Sequence, residues 1–373
     1  MKVVYISSSI FPSTQANNVH VTSMCNAIFH AGNEVILIAY YFENFDRDSV
    51  SRSIYADYNL NRNIGLELVV RKNSFGSKYF SGYEISKIIR IIGPNTIIAR
   101  NLIAAYFARK YCESVFLELH QPINSGLGLQ SYLLKKMSLR KNFIGLIVIS
   151  NPLKEIFINS GLSEKRIFVL PDGASVPEKE VGIDSIIASD RLKVGYFGSL
   201  YLGRGVELIL ELANLLPEMD FYIYGGSLVQ YEALSSKNYN LDNLNFIGHI
   251  PFTKVSLEMQ RMHVLLAPYQ RKVGLASGNL TTESWMSPLK IFEYMSVERA
   301  IVCSNIPVLQ EVLNDGVNCI LCSPEDINSW YLALKKLHTN RGELVKIAKR
   351  GKLDLIQYYS WMVRWQNIEK LKK

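Results

Sequence analysis

A chain of 373 residues is long for one ordinary core and suits two. With 48% hydrophobic and 20% charged residues it is no disordered chain, and no stretch nears the roughly 18 uncharged apolar residues of a membrane span. The net charge of +8 is lopsided: residues 1–175 carry 19 Lys+Arg against 12 Asp+Glu, and residues 176–373 carry 22 against 21. That excess suits an anionic surface or a phosphate-bearing ligand for the first half, and no basic segment interleaved with stacking aromatics points to nucleic acid.

From the start, apolar β-branched runs alternate with helical periodicity. VVYIS (3–7) predicts a strand rather than a secretory leader, because Ser7 to Ser9 interrupt the run and no small-residue cleavage site follows. A helix over about 18–31 and the strand EVILIAY (34–40) complete a βαβ opening. FENFDRDSVSR then reads as a solvated loop, which makes its Asp46-Arg47-Asp48 a poor metal site. Further strands are LELVV (66–70), TIIA (96–99), VFLEL (115–119), LIVIS (146–150) and IFVL (167–170), apolar on both faces as in a helix-covered parallel sheet. PDGASVPEKEVGIDS, from 171, lapses into turn formers and charge and predicts a linker.

The alternation restarts with KVGYFG (193–198), FYIYG (221–225), LNFIG (244–248), VLLAP (264–268), AIVCS (300–304) and CILC (319–322), a second doubly wound domain. The segment SWMVRWQNIEKLKK predicts an amphipathic helix carrying Trp361 and Trp365. The expected division is therefore 1–175, 176–357, and a C-terminal helix over 358–373 that could cross back to the first domain. Five scattered cysteines suit a reducing compartment, with the cytoplasm as the expected location, and Cys319 and Cys322 read as buried strand residues.

Open parallel sheets bind ligands beyond the carboxyl ends of their strands. The first such loop lacks GxGxxG, which disfavours the usual dinucleotide site. In SPLKIFEYM (287–295), Ser287 is a good N-cap and Pro288 a good first helical residue, leaving the Leu289 and Lys290 amides free for an anion. Lys290 opposes the helix dipole unless something negative sits there; the alternative is a solvated Lys290, or one paired with Glu293. In YFGSLYLGRGVELI, Arg204 follows a glycine-bearing loop and could hold a diphosphate bidentately, although surface arginines beside glycines are common. His120 ends a strand where active-site groups project; a packed or capped histidine is the alternative. Lys135, Lys136, Arg140 and Lys141 beside Tyr132, Leu133 and Leu134 suit an interfacial helix or an ordinary solvated face.

Taken in order, YFGSLYLGRGVELI, FIGHIP (246–251), SPLKIFEYM and IVCSNIPVLQEVLNDGVN resemble the C-terminal half of retaining glycosyltransferases of family four, which have the GT-B fold. VLPDGAS (169–175) resembles that family's interdomain crossing, NNVHVTSMCNAIFHAGNEV its first helix and second strand, LELH (117–120) its N-terminal histidine segment, and YSW (359–361) its final helix. The resemblance implies an α/β protein of two Rossmann-like doubly wound domains facing across a cleft. It implies that Glu293 bonds the donor ribose, that the Leu289 and Lys290 amides hold the pyrophosphate, and that Arg204 stands for the family's phosphate-binding lysine. Gly198 and Ser199 would lie along the first phosphate loop, and His249 and Ile250 after Gly248 would hold the base. His120 would approach the transferred sugar, and Asn17 and Asn18 would face the acceptor.

Departures from the family pattern are also legible. Trp285 stands where the first of two paired glutamates is usual and Glu283 is two residues out of register, Ser199 replaces an arginine, Glu298 and Ala300 replace a glycine and a proline, and Asn17 and Asn18 replace a glycine pair. The implied activity is transfer of a hexose-type sugar from a nucleotide diphosphate, UDP by preference, to a glycan or lipid-linked acceptor of bacterial surface polysaccharide, with retention. No metal or cofactor is expected, nor nucleic acid as a partner, and an anionic surface on the inner face of the plasma membrane is a candidate partner. A GT-B sugar-nucleotide epimerase and a catalytically silent sugar-nucleotide-binding protein are the alternatives.

Overall fold

The structure, a computed structural model, describes residues 1–13, 16–72, 77–123, 128–234, 241–271 and 284–372; Glu283 lies outside them. The chain forms two units, Met1–Asp172 with Trp361–Lys373, and Gly173–Ser360.

The first unit runs β1 (Lys2–Ile10), α1 (Ala16–His30), β2 (Glu34–Phe42), α2 (Arg47–Asp57), β3 (Gly65–Arg71), α3 (Ser77–Ile92), β4 (Thr96–Ala99), α4 (Leu102–Ala108), β5 (Ser114–Leu119), α5 (Gly128–Ser138), β6 (Phe143–Val148), α6 (Asn151–Asn159) and β7 (Ile167–Val169). Its strands pair in parallel in the order β3-β2-β1-β4-β5-β6-β7. Parallel strands covered on both faces must be apolar throughout, and Val3 to Ile6, Ile97 to Ala99 and Val115 to Leu117 are fully buried. The order reverses between β1 and β4, the point at which such sheets open a ligand crevice.

One expectation fails here. The segment read as a solvated loop after the second strand forms α2, and the Asp46 carboxylate accepts the Ser49 N–H at 2.8 Å as its N-cap. A short acidic side chain followed by apolar residues at helical spacing, Val50 and Ile54, is a helix start, and both residues are buried.

The second unit runs β8 (Leu192–Phe197), α7 (Val206–Leu215), β9 (Met219–Tyr224), α8 (Leu228–Leu234), β10 (Leu244–Gly248), α9 (Phe252–Met259), β11 (Val264–Ala267), α10 (Leu289–Ser296), β12 (Ala300–Ser304), β13 (Ile320–Cys322), α11 (Ile327–Thr339) and α12 (Arg341–Asp354). The sheet is parallel, in the order β10-β9-β8-β11-β12-β13, with its reversal between β8 and β11. Cys319 and Cys322 are buried thiols at β13. The last helix, α13 (Trp361–Lys370), belongs to the first unit and packs on α1, burying Trp361, Trp365 and Ile368. Among the described residues no helix is long and apolar enough to cross a membrane.

Candidate functional site

In the second unit Gly198, Arg204 and Lys290 gather where β8 and β11 part. These strands pair only at Val194 and Gly195, so their carboxyl ends diverge. The Tyr294 hydroxyl fills the gap, accepting the Phe197 N–H at 3.0 Å and donating to the Leu266 carbonyl at 3.2 Å. The loop after β8 is clamped to the loop after β11: Gln270 donates its N–H to the Gly203 carbonyl, and a Cβ on Gly205 would sit 1.9 Å from the Pro268 carbonyl oxygen. That contact, with φ at +73°, admits only glycine before α7 and fixes where Arg204 emerges.

Pro288 is the residue flanking α10, extended at φ −75° and ψ 117°, rather than its first helical residue, so the helix starts one position later than expected. As its first two residues, Leu289 and Lys290 have N–H groups with no acceptor in the helix. The Lys290 ammonium lies 4.2 Å from the Tyr196 ring centre and 5.1 Å from that of Tyr269, and the Arg204 guanidinium lies 5.4 Å from Tyr269. A Cβ on Gly198 would meet Lys290 Nζ at 2.7 Å, so the absent side chain makes room for this cation. Among the described residues neither Arg204 nor Lys290 has a carboxylate within ion-pair distance, and Arg204 Nε has no hydrogen-bond partner.

Charge follows this geometry. Burial, and then the Arg204 charge, hold Lys290 well below the usual lysine range. Burial pushes Glu293, one turn further along α10, up to about 7 against the pull of Lys290. Two cations on aromatic faces at an open helix N-terminus form a site short of negative charge. The Ser199 carbonyl accepts the Tyr196 hydroxyl at 2.7 Å. Gly225 links the neighbouring strand ends: its N–H donates to the Gly248 carbonyl at 2.7 Å, and a Cβ there would lie 2.0 Å from the Gly198 carbonyl oxygen. His249 then stands exposed and Ile250 half-buried after β10.

In the first unit His120 belongs to a buried ionic cluster. Glu118 Oε1 faces His20 Nε2 at 2.8 Å, His120 Nε2 at 2.7 Å and Arg364 Nη2 at 3.0 Å, while Glu118 Oε2 accepts the Tyr5 hydroxyl at 3.1 Å. Burial alone would raise the Glu118 pKa, but Arg364, His20 and His120 overcome it and hold the carboxyl well below its usual range. His20 Nδ1 meets Asp172 Oδ1 at 2.8 Å, so both of its ring nitrogens face carboxylate oxygens. Burial and then Arg100 lower His120 to about 4, against the opposing carboxylates. His120 is then neutral at physiological pH: Nε2 donates to Glu118, and Nδ1, 3.9 Å from Asp172 Oδ1, carries the lone pair.

His20, His120 and Asp172 also form a set whose donor atoms, within 4.8 Å of one another, could hold a metal ion; Glu118 and Asp172 already occupy both nitrogens of His20. Asn17 and Asn18 lie in the first turn of α1, where their Nδ2 groups donate to Ser9 Oγ and to the Ile10 carbonyl. Their Oδ1 atoms are buried with no hydrogen-bond partner among the described residues.

Sequence reasoning missed Tyr196, Tyr269 and Tyr294 in the second unit, and His20, Glu118, Asp172 and Arg364 in the first. His20, Glu118 and Asp172 lay inside quoted segments, NNVH, LELH and PDG, without being singled out. Arg364 sits on a terminal helix whose partner sequence does not reveal.

Parallel sheets, each with its crevice at a topological switch point, define the class: an α/β protein of two Rossmann-like units. Residues 191–340 match the family model of glycosyl transferases group 1. Similar solved structures include Anabaena Alr3699/HepE in complex with UDP (14% identity, TM-score 0.69, 100% of both chains) and sucrose-phosphate synthase from Thermosynechococcus elongatus (13%, 0.71, 100% of this chain and 98% of that one). The lipopolysaccharide outer core galactosyltransferase WaaB is similar over 100% of this chain and 99% of its own, at 16% identity and a TM-score of 0.67. No curated protein sequence matches this chain significantly. Likeness at these identities speaks to the fold, and with the group 1 match it supports a glycosyltransferase of GT-B type.

Proposed function

We propose that this chain is a metal-independent glycosyltransferase that moves a hexose from a UDP-sugar, with retention, to a glycan or lipid-linked acceptor of bacterial surface polysaccharide. The observation that carries it is the pair Arg204 and Lys290, without carboxylate partners among the described residues, beside the open N-terminus of α10. Breaking the bond from the anomeric carbon to the phosphate leaves negative charge on the diphosphate, and these two cations with the Leu289 and Lys290 amides neutralise it. Glu293 takes the ribose hydroxyls, and the segment of Gly198, Ser199, His249 and Ile250 takes the rest of the nucleotide. The acceptor oxygen forms its bond on the face that the phosphate vacates, and its proton passes to the leaving phosphate oxygen. The HepE structures with UDP and with UDP-glucose, and the name of WaaB, support the donor and acceptor classes by likeness. The first unit, with Asn17, Asn18 and His120, serves the acceptor and the transferred sugar; its basic face suits an acceptor held at an anionic membrane surface.

Incubation with a panel of nucleotide sugars, with and without lipid-linked glycans and EDTA, tests this reading. Acceptor-dependent UDP release that survives EDTA is expected; acceptor-free sugar interconversion would indicate an epimerase, and binding alone a silent protein. Arg204→Ala is expected to weaken even free UDP, whereas His120→Ala should spare UDP binding and lower turnover. A His120→Ala enzyme with normal turnover would remove His120 from the site.

A further inference from the structure

Arg100 follows β4, at the switch point of the first sheet, and its N–H donates to the Ile6 carbonyl at 2.8 Å. The residue is 9% exposed, yet among the described residues Nη1 is buried with no hydrogen-bond partner and no carboxylate lies within ion-pair distance. A buried guanidinium is costly unless something negative meets it. Other buried arginines in the chain show the contrast: Arg364 holds Glu118 and two carbonyls, and Arg299 holds four carbonyls. The Glu118 carboxylate is taken up by His20, His120, Arg364 and Tyr5.

Three further observations put ligand chemistry at the same switch point. The Asn17 and Asn18 Oδ1 atoms, in the first turn of α1, are buried acceptors with nothing to accept among the described residues. His120, at the end of the adjacent β5, presents a lone pair at Nδ1. Arg100 lies close enough to His120 and Tyr5 for its charge to act on both. One cation and three acceptors together match an oxyanion whose neighbouring groups are hydroxyls.

We infer that Arg100 is the anchor of an oxyanion subsite in the first unit, one that selects an acceptor carrying a phosphate or carboxylate beside the sugar hydroxyls read by Asn17, Asn18 and His120. The acceptor role rests on the transferase reading; the anion site does not.

The test uses the full chain saturated with UDP, so that the second unit's cations are occupied, with His120 followed by imidazole NMR. The groups facing that ring are Glu118, Asp172, His20 and Arg100. Adding inorganic phosphate, or glucuronate as the carboxylate probe, should move the His120 resonances and raise its titration midpoint, because an anion cancels the Arg100 charge. In Arg100→Met the midpoint should start higher, and the response to either anion should be lost. UDP affinity unchanged in that variant would show that the chain is folded. Whichever probe acts identifies the source of the oxyanion. A His120 signal indifferent to both anions at millimolar concentration, or an Arg100→Met chain responding as the parent does, would overturn the site even if transferase activity is found. With activity in hand, Arg100→Met should lose at least about tenfold in turnover on charged acceptors relative to neutral ones; equal loss on both would refute the selective role.

Discussion

On the proposed reading, Lys290 is a residue whose protonation a bound diphosphate would change. Burial and the Arg204 charge depress it in the free chain, and a diphosphate arriving between the two cations restores a counter-charge and raises it again. Between the depressed free value and the ordinary lysine range, binding must therefore take up a proton. UDP titrations at a series of pH values up to the ordinary lysine range, each in two buffers of different ionisation enthalpy, should reveal that uptake within the series, and Lys290→Met should abolish it. Proton release, or none in the parent chain, would show that Lys290 does not meet the diphosphate. Glu293, at about 7, lies nearer the titration range of such an experiment, and Glu293→Gln separates its contribution.

At the scale of elements, the site depends on two loops locked to one another. Gly205 lies at φ +73°, and a Cβ there would meet the Pro268 carbonyl oxygen at 1.9 Å. Gly205→Ala combines left-handed backbone strain of about 1 kcal/mol with a clash that must separate the loops, for roughly 2 kcal/mol or more in all. Urea denaturation of the second unit measures that loss, and UDP affinity should fall with it because Arg204 is the preceding residue. Retained stability would mean that the loops are not coupled through this contact. The element scale also explains the misread acidic segment: Asp46 is an N-cap rather than a ligand, a distinction that rests on whether Val50 and Ile54 find a core.

For the whole molecule, the basic excess is concentrated. Residues 77–141 hold ten Lys+Arg against three Glu, a net +7 equal to that of the entire first half. The segment includes α3, α4 and α5, which pack side by side. Phe80, Tyr83 and Ile91 on α3 and Tyr132 on α5, with Leu139 just beyond it, are exposed among these charges, and Lys87 and Lys136 lie over Tyr83 and Tyr132. Leu133 and Leu134 of the expected interfacial helix are buried, so its outward face is Leu129, Tyr132 and Lys136 instead. Co-sedimentation with vesicles should require anionic lipid and weaken as salt rises. Equal binding to neutral vesicles would show that charge does not direct the association.

The sequence by itself determined two parallel sheets, their strand positions and the order of the elements, because a strand covered on both faces has to be apolar along its length and leaves a readable run. It also placed a helix over the α10 segment but not its cap: Pro288, not Ser287, flanks the helix, with no side-chain cap. Tertiary structure decided the rest. Whether Lys290 pairs with Glu293 or lies on Tyr196 and Tyr269 depends on side chains 94 and 21 residues away in the chain, brought close by β8 and the loop after β11. Whether His120 is charged depends on Glu118, Arg100 and Asp172, on three different elements or loops, and on Arg364 from the far end of the chain, which holds Glu118 ionised. Propensity and periodicity act over a few residues, whereas burial and Coulomb interaction depend on distance in space, and that is why the elements were legible and the protonation of the site was not.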